Sequence, residues 1–240
     1  MNPLILIPAR MAATRLPNKP LADIGGKPMI VRAWEQAALS GFRVAVAAGD
    51  PEIVEAVEAA GGLAVLTDPA LPSGSDRIRA AVEAVDPEAA HDIVINIQGD
   101  MPFASPDLAR ACADLLARES ACDIATLVAA EADVSDRTNP DVVKAVLALP
   151  EGRTSGRALY FTRSTLYGDG PVWRHVGIYG YRRDALMRFC AAPPSPLEKR
   201  EKLEQLRALE MGLQIWASAI ADAPLSVDNP SDLEAARRLA

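Results

Sequence analysis

Two arginines and a lysine, Arg10, Arg15 and Lys19, follow the first apolar run of the chain in the stretch LILIPARMAATRLPNKPL, Leu4 to Leu21, which contains no acid. Guanidinium and ammonium groups clustered in this way bind phosphate oxygens through charge-assisted hydrogen bonds, bidentate where arginine supplies the fork. Charge alone would describe a solvated basic loop equally well. Pro8, Pro17 and Pro20 restrict the loop, and its place directly after a strand-like run favours a phosphate grip, because open α/β sheets bind ligands beyond the carboxyl ends of their strands. Two familiar phosphate loops are excluded. GGKP lacks the earlier glycine and the Ser or Thr of a Walker A motif, and no GxGxxG opens the first helix.

Carboxylates stand at two comparable places. In INIQGDMPF, Ile95 to Phe103, an apolar strand ends in Gln98, Gly99 and Asp100; in VDNPSDL, Val227 to Leu233, Asp228 precedes Asn229 and Pro230. One or two carboxylates plus substrate phosphates form the donor set that Mg²⁺ takes. Each acid has a plainer reading, Asp100 as a turn residue and Asp228 as part of a helix start. Only if they converge do they make a two-carboxylate magnesium cradle. PSGSDR, Pro72 to Arg77, reads either as a glycine turn with a Ser75 cap or as a place where Ser75 and Arg77 contact a base, a phosphate or a substrate. Arg163, His175 and Tyr179, in FTRS and WRHVGIYGY, mix donors with apolar neighbours, and His175 alone suits a core or an interface.

The elements that must position these groups follow from periodicity. LILIPA, RVAVAAG and LAVLT read as strands, and PMIVRAWEQAALSG and PEIVEAVEAAG as amphipathic helices, giving βαβαβ. Pro28 is expected at the first helical position and Gly41 at the stop. SDRIRAAVEAVD continues the helical pattern, and DIVINIQGD is apolar enough for a strand buried on both faces of a parallel sheet. From Ala121 onward CDIATLVA, DVVKAVLAL, RALYF and RHVGIYGYRR read as strands. One long helix over SPLEKREKLEQLRALEMG, the strand LQIWASAI and a capped helix from NPSDLEAARRLA complete the chain, while Pro150 to Ala158 reads as a mobile surface loop.

Bulk properties narrow the function classes. The chain has 240 residues, 50% hydrophobic and 24% charged, enough to bury a sizeable core. A net charge of −7 argues against a dedicated nucleic-acid or anionic-membrane surface, so any polyanion handled should be small and locally held. Cys112, Cys122 and Cys190 form no CxxC pair, which indicates neither a disulfide framework nor a zinc cage. With no apolar run near membrane-spanning length and no signal-peptide pattern at the start, the expectation is a reduced, cytoplasmic protein.

Taken together, these segments resemble the 3-deoxy-manno-octulosonate cytidylyltransferases, also called CMP-Kdo synthetases. The resemblance covers nearly the whole chain: IPARMAATRLPNKPLADIGGKPMI, SGSDR, NIQGDMP, RHVGIYGYRR, SPLEKREKLEQLRALEMG and VDNPSDLEAAR occur in the family's order. The RHVGIY and LEQLR blocks are more specific than the loop; sialic-acid cytidylyltransferases share the IPAR-style opening without being expected to carry them. Four positions depart from the family pattern: Ala13 where serine is usual, Asn18 for glycine, Ser75 for threonine, and Met101 for the glutamate after QGD, a loss that makes the field beside Asp100 less negative.

The resemblance implies a single cytidylyltransferase domain over residues 1–240 with an α/β, nucleotide-diphospho-sugar transferase (Rossmann-like) fold, its central sheet mixed but mainly parallel, with a smaller antiparallel arm. It implies transfer of CMP from CTP to the anomeric hydroxyl of Kdo, with release of pyrophosphate, in lipopolysaccharide biosynthesis, by a cytoplasmic homodimer. By position, Arg10, Arg15 and Lys19 would hold the CTP phosphates. Ser75 and Gln98 would help place cytosine, ribose or sugar, and Asp100 and Asp228 would hold Mg²⁺. Arg163, His175, Tyr179, Glu204 and Gln205 would line the Kdo pocket. Asp100, Lys19, Arg15 and Asp228 form the expected catalytic set. An 8-amino Kdo analogue, a sialic acid, or nucleotide binding without turnover are the competing expectations.

Overall fold

Leu4 to Ile7 are wholly buried because strand β1 (Pro3–Ala9) runs between two parallel neighbours. The computed structural model describes residues 1–12, 16–130 and 134–240. Its backbone divides into two compact units, Met1–Arg110 with Pro224–Ala240, and Ala111–Ala223.

In the first unit a one-turn helix, Lys19–Leu21, and the small ribbon β2 (Asp23–Ile24) and β3 (Lys27–Pro28) follow the cationic loop. Helix α1 (Met29–Ala38) then buries Met29, Ile30, Ala33 and Ala37 on one face. Pro28 occupies the N-cap rather than the first helical position, because it still pairs with Asp23 in the ribbon. The alternation continues as expected through β4 (Arg43–Ala48), α2 (Pro51–Ala59), β5 (Ala64–Leu66), α3 (Gly74–Val85) and β6 (Ile93–Asn96). Helical crossovers make all four sheet strands parallel, in the order β5-β4-β1-β6.

Helix α4 (Pro106–Arg118) carries the chain into the second unit, where β7 (Ile124–Ala130), β8 (Lys144–Ala148), β9 (Ser155–Thr162) and β10 (Trp173–Arg182) follow. Ser155 to Ala158, read from sequence as loop, belong to β9: their alternating small residues pair with β8 and with β11 (Ile215–Ile220). The order β10-β7-β11-β9-β8 is antiparallel except between β7 and β11. Helix α5 (Arg183–Ala191) follows β10 directly.

The long helix expected over SPLEKREKLEQLRALEMG is two short ones, α6 (Pro196–Glu201) and α7 (Gln205–Glu210). Lys202 breaks it with a left-handed backbone, φ 55°. The gain is a contact that a straight helix forbids. Nine residues of helix would hold Glu198 and Arg207 about 13 Å apart along the axis, whereas Arg207 Nη2 and Nε here each donate to a Glu198 carboxylate oxygen at 2.8 Å. Arg207 also lies 4.7 Å from the Phe189 ring centre and donates to the Phe189 and Ala192 carbonyls. The returning chain closes the first unit with α8 (Pro230–Leu239), which packs Leu233 and Ala236 against Ile24 and Met29.

Candidate active site

Because β1 and β6 are parallel neighbours, the segments leaving their carboxyl ends emerge on the same side of the sheet. The loop after β1 is tethered at its start: the Met11 amide donates to Asp50 Oδ2 at 2.7 Å, and the Gly49 amide to the Ala9 carbonyl at 2.8 Å. A Cβ at position 49 would lie 2.9 Å from Arg77 Nη1 and 3.1 Å from Arg10 Cβ, so the Arg77 guanidinium would have to shift to admit it. Another wall comes from α3. Its cap is Ser73, whose hydroxyl accepts from the Asp76 amide at 3.1 Å; Ser75 lies inside the first turn, buried. These segments enclose a cavity of about 250 Å³ lined by Arg10, Lys19, Ser73, Arg77, Gln98 and Asp100 among others, but not by Ser75.

Arg77 is 2% exposed. Its Nη1 donates to Thr67 Oγ1 at 2.6 Å and to the Asp68 carbonyl at 3.2 Å, while Nη2 has no partner among the described residues. Burial, reinforced by nearby Arg10, pulls its pKa below the usual guanidinium range. Such a group gains from an incoming anion or carbonyl that takes its unsatisfied donor.

The two acids, Asp100 beyond β6 and Asp228 just before α8, converge. The Val227 amide donates to the Asp100 carbonyl at 2.9 Å, bringing the returning chain alongside β6. Lys19 Nζ then reaches Asp100 Oδ2 at 2.7 Å and Asp228 Oδ1 at 3.3 Å. The helix-start role falls to Asn229, whose side chain accepts from the Asp232 amide at 3.0 Å, so the capping and carboxylate readings of VDNPSDL hold together on adjacent residues. Among the described residues no group of three or more His, Cys, Asp or Glu could hold a metal. Two carboxylates meeting around one cation nevertheless fit Mg²⁺, which takes its remaining ligands from phosphate and water. Arg15 and Ala13 lie outside the described residues.

The second unit gathers the other expected residues around a defect in its sheet. Between Val176 and Tyr179, β10 advances three positions while β7 advances one, from Leu127 to Thr126. A regular strand would hold His175 and Tyr179 about 13 Å apart; the bulge at Gly177 and Ile178 brings their ring centres to 5.3 Å. Phe161 meets His175 edge-on, with centroids 5.0 Å apart. Dense surroundings hold the His175 imidazole neutral, with its pKa lowered to about 4, and burial next to the Glu204 carboxylate pushes the Tyr179 phenol above its usual range. Gln205 is buried with its Nε2 unpartnered among the described residues, and Glu204 pairs with Arg207 at 3.4 Å. Arg163 is held by its own contact, Nη1 donating to the Pro140 carbonyl at 3.0 Å.

A family model described as Cytidylyltransferase matches residues 4–215, which span both units. The chain is similar to the 3-deoxy-manno-octulosonate cytidylyltransferase of Parvibaculum lavamentivorans, 58% identical over 98% of this chain and 92% of that one. It is likewise similar to that of Rhodospirillum rubrum, 53% identical over 99% and 95%. The chain belongs to the 3-deoxy-manno-octulosonate cytidylyltransferase family. A solved structure of CMP:2-keto-3-deoxy-manno-octonic acid synthetase complexed with CTP is 36% identical, with a TM-score of 0.90 over 100% of this chain and 98% of that one. A 4-diphosphocytidyl-2C-methyl-D-erythritol synthase from Anaerococcus prevotii shares the fold alone, at 11% identity and a TM-score of 0.67.

Two departures from the cytidylyltransferase pattern now have a physical reading. Asn18 adopts φ 57°, the left-handed region where glycine is at ease and asparagine is the usual substitute. Met101 is 7% exposed, so its side chain belongs to the core. Sequence reasoning missed Gly49, Asp50 and Thr67, which hold the loop and Arg77, and Thr126 and Arg207, which hold the second set. The AAGD end of β4 was the signal available for the first two, since loops beyond parallel strands carry sites. No helix among the described residues is long and apolar enough to cross a membrane.

Proposed function

We propose that this chain transfers CMP from CTP to the anomeric 2-hydroxyl of 3-deoxy-D-manno-octulosonate, giving CMP-Kdo and pyrophosphate for lipopolysaccharide biosynthesis, as a cytoplasmic, Mg²⁺-dependent homodimer. The observation that carries the reading is the convergence of Asp100 and Asp228 on Lys19 beside a cavity lined by Arg10, Arg77 and Gln98.

The reaction is an in-line displacement: the bond from the sugar oxygen to the α-phosphorus forms as the bond to the bridging oxygen breaks, and pyrophosphate leaves with the electron pair. No protein nucleophile is required, so positioning and charge neutralisation are the protein's contribution. Lys19 has three N–H donors, of which two go to Asp100 and Asp228, leaving one for a phosphate oxygen. Arg10 and Arg15 add charge along the phosphates, and the unsatisfied Nη2 of Arg77 offers a donor to the nucleotide. Magnesium held by Asp100 and Asp228 would polarise the α-phosphate and lower the pKa of the attacking hydroxyl. In the second unit Arg163 is the cation for the sugar carboxylate, which would otherwise be buried at a penalty of several kcal/mol. His175, Tyr179, Glu204 and Gln205 supply the hydroxyl contacts.

The test is pyrophosphate release by the purified chain with Mg²⁺ and CTP, offering Kdo, 8-amino Kdo or N-acetylneuraminate in parallel, with UTP as the nucleotide control. Release confined to CTP with Kdo is expected. Preference for another sugar would retain the chemistry and replace the substrate, and silence with all three would overturn the reading.

A further inference from the structure

Three proton acceptors or shared positions surround the Thr126 hydroxyl. Oγ1 lies 2.9 Å from the Ile178 carbonyl, 3.3 Å from the Val176 carbonyl and 2.9 Å from His175 Nε2. The hydroxyl carries one proton, and the two carbonyl oxygens carry none. If that proton pointed at the imidazole, the hydroxyl lone pairs would face a carbonyl oxygen at 2.9 Å, a repulsive contact inside a buried site. With the proton turned toward the carbonyls, the imidazole must supply the other hydrogen. The bulge that brings His175 to Tyr179 therefore also places two carbonyls where they dictate the direction of the Thr126 hydroxyl.

We infer that Thr126 fixes His175 as the Nε2–H tautomer, leaving Nδ1 as a hydrogen-bond acceptor that takes a hydroxyl of the acid-sugar substrate and cannot pair with its carboxylate. No described hydrogen bond reaches Nδ1, and His175 as a whole is half-buried, with the Phe161 and Tyr179 rings against it. A neutral ring with one fixed lone pair selects a donor and rejects an anion. Thr126 is thus a positioning residue: it acts on the substrate through His175. The recognition half of this inference rests on the proposed reaction; the tautomer half does not.

The chain contains two histidines, His91 and His175, so a long-range ¹⁵N–¹H correlation spectrum of histidine-labelled protein without substrate, assigned with His91→Gln, reads the tautomer directly. Nε2 of His175 is expected to be protonated and Nδ1 pyridine-like at neutral pH. An Nδ1–H signal would overturn the inference whatever the assay gives. Thr126→Ser keeps the hydroxyl and should keep the spectrum, while Thr126→Val should lose the fixed tautomer. In the pyrophosphate assay Thr126→Val should raise the KM for the acid sugar about tenfold with the KM for CTP unchanged, and Thr126→Ser should restore it. Because valine at a buried site can disturb folding, His175→Gln serves as the second variant: it keeps a donor to Thr126, removes the Nδ1 acceptor, and should raise the sugar KM in the same way. The predicted tautomer with an unchanged sugar KM in these variants would overturn the recognition half. Failure of wild-type turnover with every sugar would instead fall on the proposed function, leaving the spectrum to decide the tautomer.

Discussion

Lys19 Nζ lies 2.7 Å from Asp100 Oδ2 and 3.3 Å from Asp228 Oδ1, so a single ammonium is shared between two carboxylates. Substituting Asp100→Asn keeps the side chain's size and removes its charge. Turnover with CTP and Kdo is expected to fall by at least about a hundredfold, the range in which a group stabilising developing charge contributes a few kcal/mol. Steady-state rates across a Mg²⁺ titration check it; activity near wild type at saturating Mg²⁺ would remove Asp100 from the metal role.

Gly49 is the residue against which Arg77 is packed. A Cβ at 2.9 Å from Nη1 must displace the guanidinium or the β4 end. Gly49→Ala is expected to raise the KM for CTP about tenfold or more, since small displacements of a positioning group are costly. The melting temperature should move far less than it does for a core truncation. An unchanged KM together with an unchanged KM for Arg77→Lys would show that Arg77 contributes no contact to the nucleotide.

His175 sets an acid limit on stability. Its pKa is about 4 in the folded chain and near 6.5 when unfolded, so between these values the unfolded state binds the extra proton. Stability is therefore undiminished by this group above about pH 6.5, falls as the pH drops toward 4, and loses up to about 3 kcal/mol in all, at roughly 1.4 kcal/mol per unit. Urea midpoints at pH 7.5 and 4.5 measure the loss, and His175→Gln should narrow the gap between them. Equal slopes for the variant and the wild type would assign the acid sensitivity to other groups.

The thiols divide by burial. Cys112 and Cys122 are fully buried, and burial pushes the Cys122 thiol up to about 12 and Cys112 higher still, whereas Cys190 is half-buried. A thiol-exchange reagent at pH 7.5 should react with no more than one cysteine in the folded protein and with all three in denaturant. Rapid reaction of two or more in the folded chain would contradict the packing of β7 and α4.

Alternation of apolar strands with amphipathic helices was legible in the first half because each element carries its own periodicity, and parallel order follows from the helical crossovers. The cation-rich loop and Asp100 were legible as types beyond strand ends for the same reason, and Asp228 as an acid at a helix start. Their meeting was not: whether Asp228 reaches Asp100 depends on the Val227 amide finding the Asp100 carbonyl from far along the chain. Ser75 looked like a cap until backbone geometry gave that role to Ser73. The break at Lys202 was hidden because local propensity favours one helix over SPLEKREKLEQLRALEMG, and only the buried Arg207–Glu198 pair and the Phe189 ring outweigh it. The two-residue bulge in β10 left just a glycine as its trace, yet it decides which side chains His175 meets, because sheet register is a property of the paired strands.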